Sequence, residues 1–164
     1  MVNPVGVTPF TRSLLLAALI GLAWWFFGNL YEAVVISPNW VIDSPAQLTR
    51  MHDLFTVTSP TTYFVPAMPM TVTVLWVALY LGRRSLPSTL VRSTVAVSIA
   101  LVALTIAIVT ILVDGLFGAD YLEHADVLVA YARCWNVANL IRMALTATCG
   151  VLTWCLLHTP ARAA

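Results

Sequence analysis

Four apolar runs divide the chain, over residues Ser13–Ser37, Thr61–Leu81, Leu90–Val113 and Trp135–Leu157, with short polar stretches between them. Each holds about the 20 residues of helix that a bilayer core requires. No sustained alternation of apolar and polar positions points to barrel strands. A spanning segment must satisfy its own backbone hydrogen bonds, so the runs are expected to be helices. The expected fold is all-α: one integral membrane four-helix bundle over residues 1–164, both termini cytoplasmic, with short surface helices in the two outer loops.

Arginine placement sets that orientation. Arg12 precedes the first span, Arg83, Arg84 and Arg92 flank the short loop between the second and third, and Arg162 follows the fourth. Asp43, Asp53, Asp114, Asp120, Glu123 and Asp126 fall in the opposite loops. The positive-inside rule then puts the two longer loops outside. The first run is too long for a signal peptide, and no small-residue cleavage pattern follows it, so it reads as a retained anchor. The expected location is a bacterial inner (plasma) membrane, crossed several times.

The first outer loop carries its own pattern. Ser44-Pro45-Ala46-Gln47 reads as a capping box with proline at the first helical position. Leu48, Met51, His52 and Phe55 then share one face, which predicts a short helix on the membrane surface that Pro60 ends. Pro66 and Pro69 should kink the second span and free backbone carbonyls. The third span is bland, with Ser98 and Thr105 able to bond to their own backbone or to a neighbouring helix. A further helix from about Tyr121 is expected to run unbroken through Trp135 into the fourth span.

Composition agrees with the pattern. The chain is 60% hydrophobic and 9% charged, with a mean hydropathy of +0.91; soluble domains carry nearer a quarter charged residues. One small bundle uses up the 164 residues. The net charge of +1 gives nucleic acid nothing to bind. Cys134, Cys149 and Cys155 fit neither a disulfide framework nor a zinc motif, and Cys134 is expected to be a small buried thiol.

Against this background the stretch Ala23–Asn39 stands out, because it puts Asn29 and Glu32 inside the hydrocarbon. An unpaired carboxylate there costs a few kcal/mol. The fourth span offers Arg142 as a partner. At 1.5 Å per residue Glu32 lies roughly 7 Å and Arg142 roughly 10 Å below the outer surface, so they share a level. Trp25, Asn29, Glu32 and Ile36 form one helical stripe, and Trp135, Asn139, Arg142 and Thr146 another. Asp114 ends the third span on the same side. These residues outline a polar pocket, with Glu32, Asn139 and Arg142 at its chemical centre and Asn29, Trp25, Trp135 and Asp114 as binding residues. The plainer alternative is a structural ion pair that sets helix register, with Asn29 and Asn139 bonding across the interface. His52-Asp53 and Glu123-His124 could hold a divalent metal through His52 and His124; taken singly, each histidine is a solvated loop residue. No cofactor is otherwise indicated. No histidine lies within a span, which argues against a bis-histidine haem. The inner halves of the spans carry no charged chain, which argues against a channel or transporter.

Trp135-Asn136-Val137-Ala138-Asn139-Leu140-Ile141-Arg142 resembles the W-x-x-x-N-x-x-R signature of the anthrone-oxygenase-like family of small four-helix membrane proteins. Gly28 followed by Ser37-Pro38 is similar to the end of that family's first span. The family's asparagine-rich stretch after span three is replaced here by Asp114-Gly-Leu-Phe-Gly118. The resemblance implies oxidation of lipophilic polycyclic phenols by dioxygen. On it, Glu32 would take a proton from the substrate's acidic carbon, and Arg142 with Asn139 would stabilise the enolate oxygen. Two other classes stay open: a non-catalytic subunit or scaffold of a larger membrane complex or homo-oligomer, and a binder of a lipid or quinone. The oxygenase and the binder need a cleft open to a lipophilic small molecule. The subunit needs Glu32 and Arg142 fully packed.

Overall fold

The computed structural model describes residues 7–58, 60–64, 66–118, 123 and 125–159. Among them every regular element is helical. The first helix, α1 (Pro9–Tyr31), starts where Thr8 Oγ1 accepts the Thr11 amide at 3.2 Å and Pro9 opens the first turn. It runs on through a wider π-helical turn, Glu32–Ile36. Short helices α2 (Pro38–Val41) and α3 (Ser44–Leu54) follow, then α4 (Pro60–Phe64) and α5 (Ala67–Gly82). Next, α6 (Ser88–Ala107) passes into a second π-helical segment, Ile108–Val113, and then into α7 (Asp114–Phe117). The chain closes on α8 (Ala125–His158), 34 residues long.

Four stretches are long and apolar enough to cross a membrane: Pro9–Ile36, Thr62–Gly82, Ser88–Phe117 and Val127–His158. Between 22 and 33% of each apolar window is buried within the protein. The rest faces outward, including Phe27, Trp24, Met70, Ile99 and Val151. So much exposed apolar surface on every long helix is consistent with a multi-pass membrane protein.

The helices are arranged as an open curl. Packed side by side they run α5, α1, α8, α6, and α5 makes little contact with α6. Gly21 lets α1 and α5 approach, since a Cβ there would meet the Thr71 side chain. Where α5 and α6 do meet, Trp76 Nε1 donates to Ser98 Oγ at 2.9 Å. One core cluster, around Leu15, Leu22, Leu75 and Leu101, draws in Val7, Leu86, Leu90 and Leu157, so the start of α1, the 83–87 turn and the end of α8 pack together. A second core at the other end joins Trp40, Leu48, Ile108, Leu116, Leu128 and Trp135.

Several local expectations change. Ser44 is not a capping-box residue: α3 already includes it, its Oγ donates to Val41 O at 3.1 Å, and Asp43 precedes it with φ 55°. Asp43 must turn the chain sharply from α2 into α3, and aspartate tolerates that left-handed conformation better than most residues. Pro60 does not end α3, which stops at Leu54; it opens α4 instead. The second span breaks at Pro66, whereas Pro69 sits in the first turn of α5, where no amide donor is needed. Ser98 and Thr105 do as expected: both bond to their own helix, to Val95 O and Leu101 O, and Ser98 also accepts from Trp76 on α5. Cys134 is exposed, and the buried thiol is Cys149.

Candidate functional site

Two stripes meet across the α1–α8 interface. Trp25 and Asn29 on α1, and Trp135, Asn139, Arg142 and Thr146 on α8, are all buried. Asn29 is fixed by its own helix, since its Nδ2 donates to Trp25 O at 2.7 Å, which turns Oδ1 outward as an acceptor. Arg142 supplies the cross-link. Its Nε and Nη2 donate to Asn139 Oδ1 at 3.1 and 2.5 Å, and Nη2 also donates to Asn29 Oδ1. The two asparagines therefore do not bond to each other; both accept from one guanidinium. Below it, Thr146 Oγ1 donates to Arg142 O at 2.8 Å.

Glu32 completes the group without touching it. Its Oε2 stands 4.0 Å from Arg142 Nη2, close enough for charge attraction and too far for a hydrogen bond. Among the described residues no donor reaches the carboxylate, and no acceptor reaches Arg142 Nη1. The Arg142 side chain is 7% exposed and that of Glu32 is 16% exposed. Arg142 is thus held by two amides, while both it and Glu32 keep hydrogen-bonding capacity in reserve.

That capacity borders open space. An end cavity of about 480 Å³, roofed by α2 and α3, has Glu32, Trp40, His52, Asp114, Phe117 and Trp135 on its wall. A side cavity of about 310 Å³ between α5 and α6 has Trp25, Glu32, Met68, Ile106, Val109 and Arg142. A third, about 540 Å³, lies between α1 and α4, with Gly28, Tyr31, Tyr63 and again Glu32. Glu32 borders all three. Both π-helical segments contribute to these walls, through Glu32 and Ile36 and through Val109 and Val113. A π turn interrupts the regular i→i−4 ladder and is found often at functional sites.

Of the binding residues expected from the sequence, three border a cavity and Asn29 does not; its amide is engaged by Trp25 O and Arg142. Trp25 lines the side cavity, Trp135 both end and side cavities, and Asp114, although exposed, the end cavity. Two residues escaped the sequence reading. Trp40, buried beyond the first span, packs edge-on against Trp135, with centroids 5.0 Å apart, and against Phe117 at 5.5 Å. Asn136 accepts from Ser37 Oγ at 2.5 Å, a second polar tie between the same two helices. His52 stacks on Phe117 with centroids 6.0 Å apart. His124 lies outside the described residues, and among those described no three His, Cys, Asp or Glu residues group as a metal site.

Comparison with family models, with curated proteins and with solved structures finds no match to this chain.

Proposed function

We propose that the chain is a multi-pass membrane protein, both termini cytoplasmic, whose interior site deprotonates a lipophilic aromatic substrate and exposes the resulting carbanion to dioxygen. One observation carries the proposal. Glu32 sits unbonded where three cavities meet, 4.0 Å from a guanidinium held by two asparagine oxygens. The likeness of Trp135–Arg142 to the W-x-x-x-N-x-x-R signature supports the choice of chemistry. The cavity sizes suit a small aromatic molecule, since ligand pockets run from about 300 to 1,000 Å³.

The chemistry needs few groups. A carboxylate in an apolar surround is a competent base. Glu32 takes a proton from a methylene activated by a neighbouring carbonyl, and the electron pair moves onto the carbonyl oxygen. The unengaged Nη1 of Arg142 is available to that oxyanion, while Asn139 orients the guanidinium. The enolate carbon adds to dioxygen, giving a peroxide that takes back the proton from Glu32. Loss of the second methylene proton with cleavage of the O–O bond gives a ketone and water. Overall, R2CH2 and O2 become R2CO and H2O, with no outside reductant.

The test is oxygen uptake and quinone absorbance with anthrone as substrate, using protein in lipid nanodiscs. Wild type should consume one O2 per anthrone. Glu32→Gln should slow turnover by about 10²- to 10⁴-fold. Absence of turnover in the wild type, or full turnover in Glu32→Gln, sinks the proposal.

A further inference from the structure

The side cavity holds more than the carboxylate. Its walls are Met68 and Pro69 on α5, Thr105 and Ile106 on α6 and Val109 on the π-helical segment that follows it, continued by Trp25 and Arg142 on the facing helices. Ile106, Val109 and Pro69 are also exposed on the outer surface. The cavity therefore opens sideways through the gap where α5 and α6 fail to pack. Both open edges are apolar but for Thr110, whose hydroxyl donates to Ile106 O, so in a bilayer this gap faces acyl chains rather than water.

Trp25 adds an independent sign of a ligand. It is 1% exposed, and its Nε1–H has no acceptor. Leaving a buried donor unsatisfied is unfavourable, and buried indole N–H groups usually find a partner. Arg142 Nη1 is likewise without an acceptor among the described residues. Two donors without acceptors on residues of one apolar cavity, with a carboxylate on the same wall, suit a molecule that is greasy throughout but carries one acceptor oxygen.

We infer that the side cavity is the berth of a flat lipophilic ligand that arrives from the bilayer between α5 and α6 and sets one carbonyl or phenolate oxygen against Arg142 and Trp25. This rests on the proposed function for the use made of the ligand, but not for its binding. Trp25 is then a binding residue, and the α5–α6 gap is the way in.

Binding of tritiated 9,10-anthraquinone to nanodisc-embedded protein tests this without turnover, because the quinone is already oxidised. Trp25→Phe keeps a ring in place and deletes the donor; affinity should fall about 5-fold. Ile106→Trp adds bulk at the exposed mouth, and affinity should fall at least about 10-fold. Val151→Trp, an equally bulky change on an exposed face of α8, should leave it unchanged. Thermal melts of each variant establish folding. If folded Ile106→Trp binds as well as Val151→Trp, or wild type binds no quinone, the inference is overturned. Anthrone oxidation that persists with Ile106→Trp would overturn it while leaving the proposed chemistry standing. Quinone binding with the expected losses but no anthrone turnover would do the reverse.

Discussion

Arg142 has more to lose than any other side chain in the interior. It holds Asn29 and Asn139 together across two helices, whereas among the described residues no donor reaches the Glu32 carboxylate. Removing one member of a buried polar network strands the rest, at about 3–5 kcal/mol. Arg142→Gln should therefore destabilise strongly, and Glu32→Gln by clearly less, because it strands no hydrogen bond. Thermal unfolding of detergent-solubilised variants compares them. Equal losses would make Glu32 a structural partner and not a reactive one. The stripes that bring these residues together were legible in the sequence, because Trp25, Asn29 and Glu32 recur at i, i+4 and i+7. The real division of labour was not. Spacing cannot show that one guanidinium serves both amides while the carboxylate stands 4.0 Å away.

At the level of elements, the interruptions matter more than the helices. Glu-Ala-Val-Val-Ile and Ile-Val-Thr-Ile-Leu-Val look like ordinary apolar helix, yet both widen into π turns at the cavities. One extra residue in a turn rotates the remainder of the helix by roughly 100°. A stripe drawn at 3.6 residues per turn is therefore unsafe beyond Glu32. The tie from Ser37 to Asn136 could not be read from the sequence for that reason, nor could the placing of Trp40 against Trp135. The short helix α3 was foreseen from the shared face of Leu48, Met51 and His52, although its start was misread. Close approach at α4 gives a test. A Cβ on Gly28 would stand 2.6 Å from Tyr63 and 2.9 Å from Phe64. Gly28→Val should push α4 off α1 and cost about 1–3 kcal/mol. A mild increase in stability instead would show that α4 is not packed there.

For the molecule as a whole, four apolar helices and their approximate bounds were plain from hydropathy, since runs of that length serve little else. Their spatial order was not, because apolar side chains face both lipid and neighbours and leave no directional stripe. The arginines of the 83–87 turn and its flank make a prediction at this scale. Reporter fusions at the C-terminus and at Arg84 should read cytoplasmic, and one in the segment between α3 and α4 should read external. The opposite pattern would invert the proposed site.

Helix α8 is roughly 51 Å long at 1.5 Å per residue, set against a hydrocarbon core of about 30 Å. In the proposed multi-pass arrangement it rises clear of the acyl region even when well tilted. Its Leu128 and Ala132 join Trp40 and Leu48 in the core beneath α2 and α3. Seen edge-on by electron cryomicroscopy, the particle would carry a small knob on one face of the disc, on the side away from the start of α1 and the 83–87 turn. Antibody fragments raised against that knob would grip a rigid handle and leave the proposed α5–α6 opening clear.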